Sequence, residues 1–402
     1  MTKIDGISIN ELTEQYGSPL FVISAQNVRN NTIAFHNEFH NRYPKTRVAY
    51  AYKANSLISV LEIVHKEGAW AEVASGYEYD IAKKMGVPGK KIVFNGPYKR
   101  REELSRAIEE GALINVDNTN ELELISEIAS KHEKTIDIGI RINAEVGIPQ
   151  FIDRFGFNLD SGEALKIVGN SLREKLLNIV GVHIHLTSYI IEPADTGDFV
   201  PAKQIKLIWP KSFNLYRNAA EKIVNFVREV KCTHGINIKY INMGGGFPDV
   251  DSLSPYADAI VDPIIGGLNE QPPILILEPG RAIIRNAVHL ITTIIGIKEL
   301  PNGIRGITID AGINSLPTSV LKFQEIKPLK EVKGYLRDTI VYGPLCLQTD
   351  IIGRENLPEF ELGERLIIPN VGAYNISQSS SFIFPRPSVI LIEDGKPRLI
   401  KC

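Results

Sequence analysis

The stretch RVAYAYKANSLISVLEIVHKEGAWAEVAS, residues 47–75, consists of an apolar run, an amphipathic segment and a second apolar run. The two outer runs, RVAYAYK and AWAEVAS, are nearly continuous in apolar character, as is typical of strands buried on both faces. The middle segment has apolar residues at helical spacing, which would share one face: Leu57, Val60, Leu61 and Val64. The stretch therefore predicts a strand, a helix and a second, parallel strand.

Apolar runs of the same kind recur along the chain, at residues 47–53, 69–75, 91–96, 112–117, 135–143, 178–186, 236–246 and 273–280. Helix-like segments separate them. Eight such repeats predict an α/β fold with a parallel (β/α)8 barrel like that of triosephosphate isomerase. An open, doubly wound sheet is the alternative, but the repeats show no obvious reversal of order.

The sequence changes character after Arg281. Short apolar runs are now joined by Gly, Pro and Asn turns, and helical patterns nearly vanish, which indicates a mostly β domain. The N-terminal segment SPLFVIS, residues 18–24, is one more predicted strand that could join this domain. We therefore predict a barrel domain over 26–282, and a β-sandwich or β-barrel domain formed by 1–25 and 283–402.

The composition is that of an ordinary folded protein. Hydrophobic residues make up 44% of the 402 residues and charged residues 23%, which argues against disorder. The net charge of −2 gives no reason to expect nucleic acid or a membrane as partner. Three cysteines, a polar N-terminus and the absence of long apolar stretches predict a cytoplasmic protein.

Polar residues follow the predicted barrel strands, where the chemistry of such barrels is located. Polar groups are unfavourable in a buried barrel mouth unless they are hydrogen-bonded, ion-paired or bound to a ligand. A ring of polar residues at the strand ends therefore predicts a functional site. Its members are Lys53, Glu72, Ser75, Asn95, Asp117, Arg141, Asn143, His185, Ser188, Gly244, Gly245, Gly246, Glu278 and Arg281.

Four of these features together indicate one cofactor. A lysine at position 53, flanked by apolar residues, can be desolvated and become a Schiff-base nucleophile, although a strand-end lysine reaching to solvent is the simpler interpretation. The glycines 244–246 and Arg281 follow strands seven and eight, the usual phosphate site of these barrels. Glu278 could pair with Arg281 or hold a heterocyclic nitrogen protonated. A lysine, a phosphate site and such a carboxylate together specify pyridoxal 5′-phosphate.

His183 and His185 alternate onto one face of a strand, an arrangement also found in metal sites. A buried, hydrogen-bonded pair is the simpler interpretation. Because no other histidine falls at a strand end to complete a ligand set, we predict no metal.

Six motifs then resemble the fold-type III pyridoxal-phosphate decarboxylases, which share the alanine racemase fold. Diaminopimelate decarboxylase is the most similar member, and ornithine and arginine decarboxylases are its relatives. The resemblance spans roughly residues 18–390, and the motifs stand in the family's order: YAYKAN, HIHLTS, MGGGFP, EPGR, GPLC with Asp350, and GAYN before FPRP.

The resemblance implies roles for the matching residues. Lys53 would bind the cofactor covalently, Glu278 would pair with its ring nitrogen, and His185 would stack on its ring. The phosphate would be bound by Ser188, Gly244, Gly245, Gly246, Arg281 and Tyr374. Cys346 would protonate the substrate carbon after CO₂ has left. In the family this cysteine comes from the second subunit, so a homodimer with shared active sites is expected.

The substrate half of the site departs from the family pattern. A carboxylate that binds the distal amine of the substrate is expected directly after the cysteine, where this chain has Leu347. The Asp-x-Gly motif is present at Asp310, but the arginine expected a few residues later is missing, and Thr318 stands near its place. We therefore predict α-decarboxylation of an amino acid, or of an amino-acid-containing metabolite, other than diaminopimelate. Diaminopimelate itself is the alternative.

The alternative functions are amino-acid racemisation and regulation without catalytic turnover. Alanine racemases place an arginine at the pyridine nitrogen, so Glu278 argues against racemisation. A decarboxylase-like regulator without turnover would not need Lys53, Glu278, Cys346 and Tyr374 together. A pyridoxal-phosphate-dependent carboxy-lyase is the prediction.

Overall fold

A computed structural model describes residues 2–147, 154–172, 176–186, 190–191, 207–208, 213–329 and 334–400. These form two compact units. The β unit contains the described parts of 1–31, 189–209 and 283–402, and the barrel unit those of 32–188 and 210–282. The predicted domain limits were 25/26 and 282/283.

The barrel unit is built on eight parallel strands, Thr46–Ala51, Trp70–Val73, Ile92–Phe94, Leu113–Val116, Ile136–Asn143, Leu177–Ile184, Tyr240–Asn242 and Ile274–Leu277. Each pairs with the next along the chain, and the eighth pairs with the first, so the sheet is closed. The predicted (β/α)8 barrel is confirmed. A short strand, Phe157–Asn158, pairs beside the fifth.

Helices alternate with the strands, at Ala25–His40, Ile58–Lys66, Gly76–Lys84, Arg101–Glu109, Thr119–His132, Glu163–Ser171, Phe213–His234 and Ser254–Leu268. The helix Ile58–Lys66 buries Val60, Leu61 and Val64, as its periodicity predicts. Ser75 begins the next helix by accepting the Glu78 N–H at 3.3 Å. Satisfying a free N–H in this way is a common device at helix N-termini. Among the described residues, none of the helices could cross a membrane.

The β unit contains the strands Leu20–Ser24, Val288–Glu299, Arg305–Ile309, Arg337–Tyr342, Ile351–Leu357, Arg365–Ile368, Ser388–Glu393 and Lys396–Ile400. Shorter strands are Lys3–Ile4, Ile7–Ser8, Ile190–Ile191, Leu207–Ile208 and Lys327–Pro328, and the helices are Ile9–Tyr16 and Asn375–Gln378. A further short helix, Arg281–Ile284, spans the division between the units. The N-terminal strand Leu20–Ser24 lies between Val288–Glu299 and Ser388–Glu393, which is why it is fully buried.

Single-turn 3₁₀ helices complete the fold, at Tyr52–Ala54, Gly89–Lys91, Val250–Ser252, Arg285–Ala287, Pro301–Gly303 and Pro317–Val320. The first of these is the segment that carries Lys53.

Besides the short strands, two longer strands of the β unit do not follow from the sequence pattern. Ile351–Leu357 carries Arg354 and Glu355, so its apolar pattern is interrupted. Lys396–Ile400 contains Pro397, but it pairs antiparallel with Ser388–Glu393 through a tight turn. Asp394 and Gly395 have φ values of 51° and 71°, the left-handed conformation of a type I′ hairpin. The Asp-Gly pair, which is typical of such two-residue turns, was the feature of the sequence that could have predicted this hairpin.

Candidate active site

Lys53 lies directly after the first barrel strand and faces a carboxylate from the second. Its Nζ donates to Glu72 Oε2, and the Glu72 side chain is 1% exposed whereas that of Lys53 is 35% exposed. The amine is thus held by a buried carboxylate, while the lysine side chain as a whole remains partly exposed. This is the position expected of a lysine that reacts with an aldehyde.

Glu278 lies at the end of the eighth strand and is held by two buried amides. Asn95 Nδ2 and Asn242 Nδ2 both donate to Glu278 Oε1, at 2.7 and 2.6 Å. Glu278 Oε2 is also buried, and no hydrogen-bond partner for it exists among the described residues. His183 Nε2 is 3.6 Å from this oxygen. One oxygen of Glu278 is therefore fixed by two donors, whereas the other has only longer contacts, to His183 Nε2 and, at 3.9 Å, to His185 Nδ1.

The charge states of this pair follow from burial and proximity. Burial by itself raises the pKa of Glu278, but the nearby His183, His185 and Lys53 outweigh it and hold this pKa well below its ordinary value. Burial lowers the pKa of His183 to about 4. At neutral pH the site thus contains an ionised Glu278 beside a neutral His183.

The glycines after the seventh strand leave no room for side chains. A Cβ on Gly244 would lie 2.5 Å from the Ile184 carbonyl oxygen, and one on Gly245 would lie 2.5 Å from that of Glu278. The Gly245 N–H donates to His185 Nδ1 at 3.2 Å, which fixes the imidazole ring. Arg281 Nη2 donates to the Phe247 carbonyl oxygen at 3.4 Å. Arg281 therefore lies against the end of the glycine loop.

These residues fit pyridoxal phosphate. Glu278 Oε2 can accept a hydrogen bond from a protonated ring nitrogen, and Arg281, beside the glycine loop, offers a positive charge for the phosphate. The side chain of His185 is 26% exposed, so its ring can contact a ligand. Ser188, predicted to bind the phosphate, lies outside the described residues.

His183, His185 and Glu278 also form a cluster whose nearest ligand atoms lie within 4.8 Å of one another. His185 Nδ1 already accepts the N–H of Gly245, and Glu278 Oε1 already accepts two amides. The absence of a metal remains our prediction.

Cys346 lies in the β unit, at the exposed tip of a tight loop. The buried Asp350 carboxylate accepts the N–H of Leu345 at 2.8 Å and that of Ile313 at 2.7 Å. Leu347, next to the cysteine, is 43% exposed. The loop is thus fixed at its base and presents a thiol and a leucine at its tip.

The other residues predicted from the β unit have defined partners there. Asp310 accepts hydrogen bonds from Ser18 Oγ at 2.6 Å and from the Thr293 N–H at 2.9 Å. Thr318 Oγ1 donates to Asn375 Oδ1 at 2.7 Å. Tyr374, directly before Asn375, has φ 69°. Their predicted roles in substrate and phosphate binding stay predictions.

Several residues of the site were not singled out from the sequence. Asn242 lies within a predicted strand, so its position in the sequence indicates a structural rather than a functional residue. Glu78 is half-buried near Lys53 and Glu72, and burial raises its pKa to about 7.

Of the predicted ring of polar residues, Ser75 caps a helix, whereas Arg141 pairs with Asp117 at 3.2 Å.

Known proteins are similar to this chain over much or nearly all of its length. Residues 29–203 match the model of the pyridoxal-dependent decarboxylase family, pyridoxal binding domain. The diaminopimelate decarboxylase of Methanocaldococcus jannaschii is 33% identical over 96% of this chain and 89% of its own. That of Aquifex aeolicus is 31% identical, over 99% and 92%.

Solved structures are similar over nearly the same span. The crystal structure of the M. jannaschii enzyme has a TM-score of 0.86 at 32% identity and covers 99% of this chain and 92% of its own. Its co-complex with L-lysine has a TM-score of 0.84. This chain therefore belongs to the fold-type III family of pyridoxal-phosphate-dependent decarboxylases.

Proposed function

We propose that this protein removes the α-carboxylate of an amino acid with pyridoxal phosphate as cofactor, and that the amino acid is diaminopimelate. The single observation that carries the chemistry is Glu278 Oε2, a buried carboxylate oxygen with no hydrogen-bond partner among the described residues. A buried, ionised oxygen is unfavourable unless a ligand pairs with it, and a protonated ring nitrogen would do so.

Each residue contributes a defined step. Lys53 supplies the amine that binds the cofactor's aldehyde, and Glu278 holds a proton on its ring nitrogen. Pyridoxal phosphate, when bound, would supply the electron sink that allows the bond between the substrate Cα and its carboxylate to break. Cys346 then donates a proton to Cα. The glycine loop and Arg281 hold the phosphate.

The relatives support diaminopimelate as the substrate, since the curated proteins at about 30% identity are named diaminopimelate decarboxylases. Our prediction of a different substrate finds no support among them.

One feature nevertheless favours a second candidate, an amino acid whose far end is neutral or joined to another unit. Leu347 stands where the resemblance implies a carboxylate for the distal ammonium. The carboxylates that could replace it, Asp310 and Asp350, are both engaged within the β unit. Asp153, a third possibility, lies outside the described residues.

A CO₂-release assay distinguishes the two candidates. Purified protein loaded with pyridoxal phosphate is assayed with meso-diaminopimelate, lysine, ornithine and conjugated amino acids. A kcat/KM for diaminopimelate of about 10⁴ M⁻¹s⁻¹ or more establishes it as the substrate. Leu347→Glu is the matched variant: it should leave that value unchanged if diaminopimelate is native, and raise it if Leu347 excludes the distal ammonium. CO₂ release from no compound would contradict the decarboxylase proposal.

We further propose that the protein acts in the cytoplasm as a homodimer in which Cys346 completes the partner's site. The exposed thiol tip supports this. So does the exposed apolar turn Phe382, Ile383 and Phe384, with exposed fractions of 47%, 55% and 44%. Ile383 has φ 62°, which is rare for a β-branched residue and suits a turn that a partner holds in place.

A further inference from the structure

We propose that Asn95 is a positioning residue that fixes Glu278 relative to Glu72 and favours its ionised form, and thereby sets the protonation of the cofactor's ring nitrogen. Asn95 follows the third barrel strand and is 5% exposed. The inference rests on the proposed function, because it concerns how the same cofactor is held.

Asn95 joins the two carboxylates through one nitrogen atom. Its Nδ2 donates to Glu72 Oε1 at 3.1 Å and to Glu278 Oε1 at 2.7 Å. An amide nitrogen has two N–H groups, so both are used. Glu72 pairs with Lys53 through its other oxygen. A single side chain thus links the lysine end of the site to the residue that faces the ring nitrogen.

The orientation of Asn95 is itself fixed by a chain of donors. Tyr240 Oη donates to Asn115 Oδ1 at 2.8 Å, and Asn115 Nδ2 donates to Asn95 Oδ1 at 2.8 Å. Burial raises the pKa of Tyr240, so its hydroxyl keeps the proton that it donates. Rotating the Asn95 amide would break this bond and both carboxylate bonds. Every donor in the chain therefore points toward the two carboxylates.

Two glycines of the barrel strands make room for the Tyr240 ring in this series of hydrogen bonds. A Cβ on Gly139 would lie 2.1 Å from Tyr240 Oη, and one on Gly181 would lie 2.0 Å from its Cζ. Two strands next to each other thus lack side chains where the tyrosine ring passes. A buried polar network is stable only when its groups are satisfied, and here Tyr240, Asn115 and Asn95 satisfy one another.

The consequence for the cofactor follows from the charges. A hydrogen bond donated by an amide to a buried carboxylate favours the ionised form of that carboxylate, which here is Glu278. Without Asn95, Glu278 would more readily hold a proton itself. The ring nitrogen would then lose its proton, and with it part of its capacity to withdraw electrons.

The test observes the ring nitrogen directly. Wild type, Asn95→Ala and Asn95→Asp are loaded with ¹⁵N-labelled pyridoxal phosphate, and the ¹⁵N chemical shift and the dissociation constant are measured. We expect a protonated signal in the wild type and a shift toward the unprotonated signal in both variants, furthest in Asn95→Asp. Cofactor binding should weaken by about ten- to a hundred-fold, as for the loss of charge-assisted hydrogen bonds.

Asn31→Ala is the matched control, because Asn31 is a buried amide, 6% exposed, that donates to the Ile283 carbonyl at 2.8 Å. It should leave the ¹⁵N signal unchanged. An unchanged signal in folded Asn95 variants overturns the inference. If these variants do not fold, Tyr240→Phe decides: a smaller shift in the same direction supports the inference, and no shift overturns it. A wild type that binds no pyridoxal phosphate would instead contradict the proposed function.

Discussion

Glu78 is a titratable residue whose behaviour depends on its surroundings in the fold. It lies in the first turn of the helix Gly76–Lys84. Burial, followed by the charge of Glu72, raises its pKa from 4.5 to about 7, although the hydrogen bond from the Ala74 N–H opposes this. Between these two values the folded protein retains a proton that the unfolded chain releases. The free energy of unfolding should therefore fall as pH rises through this window, by at most about 3 kcal/mol.

Glu78→Gln should remove this dependence. Urea unfolding at pH 5 and pH 8 should show a smaller loss of stability in Glu78→Gln than in the wild type. Glu109→Gln, which changes an exposed glutamate, should behave like the wild type. Equal pH dependence in all three proteins would show that Glu78 has an ordinary pKa.

Lys53 is the residue on which the covalent link to the cofactor depends. Lys53→Ala should abolish the visible absorbance of the lysine-bound cofactor and all decarboxylation, because no other amine is placed to replace it in the described part of the site. Borohydride reduction of the wild type followed by peptide mapping should label Lys53. The exposed lysine variant Lys66→Ala should keep the absorbance. A borohydride-trapped link in Lys53→Ala would place the attachment elsewhere.

The residues that sequence reasoning found are those at strand ends. Lys53, Glu278 and the glycines 244–246 directly follow apolar runs, and a barrel brings such positions together. The hydrogen bond between Asn115 and Tyr240 could not be predicted, because it depends on the register of strands that are far apart in the sequence. Lys99 belongs to the charged segment KRREE, a pattern typical of a solvent-exposed surface. The Lys99 side chain is nevertheless buried, with 4% of the residue exposed.

At the scale of elements, Lys99 connects a loop, a strand end and a helix. Its Nζ donates to the carbonyl oxygen of Gly96 at 2.8 Å, to that of Asn115 at 3.1 Å and to Glu121 Oε1 at 2.6 Å. Glu121 Oε2 accepts the Asp117 N–H at 2.9 Å. This buried ion pair therefore positions the end of the strand Leu113–Val116 and the start of the next helix.

Removing one partner of this pair should be strongly destabilising. Lys99→Met should lower the free energy of unfolding by about 3–5 kcal/mol, because Glu121 would be left buried without a counter-charge. The double variant Lys99→Met with Glu121→Leu should recover much of this loss. Urea unfolding of both single variants and the double variant measures the coupling.

The exposed ion pair Arg101–Glu127 is the control, since it also involves the helix Thr119–His132 and its side chains are 50% and 63% exposed. Arg101→Met should cost at most about 1 kcal/mol. Equal losses in Lys99→Met and Arg101→Met would show that burial does not govern this contact.

At the scale of the whole molecule, the two units were predictable to different degrees. The barrel follows from one repeated pattern, so all eight strands were found. The β unit has no repeat, and the hairpin Ser388–Ile400 was missed because Pro397 and two basic residues obscure its second strand. The pairing of Leu20–Ser24 with strands more than 260 residues away depends on tertiary structure alone.

The proposed homodimer makes a prediction that no single chain can fulfil. Lys53→Ala lacks the amine of the barrel unit, and Cys346→Ala lacks the exposed thiol of the β unit, so each homodimer should be inactive or nearly so. If each site takes Lys53 from one chain and Cys346 from the other, a mixed dimer contains one intact site and one that lacks both groups. Random exchange of equal amounts makes half of the dimers mixed, so the unseparated mixture should regain about a quarter of the wild-type activity, and the isolated mixed dimer about half.

The measurement is CO₂ release after the two variants, carrying different affinity tags, are unfolded and refolded together and the mixed dimer is isolated by sequential capture. Lys53→Ala mixed with a second preparation of Lys53→Ala is the control and should remain inactive, because no mixed dimer then contains the amine. Gel filtration establishes that the species assayed is a dimer. A verified mixed dimer without activity would mean that each site is built within one chain. In that case the exposed position of Cys346 would need another explanation, since its thiol would have to serve the barrel of its own subunit.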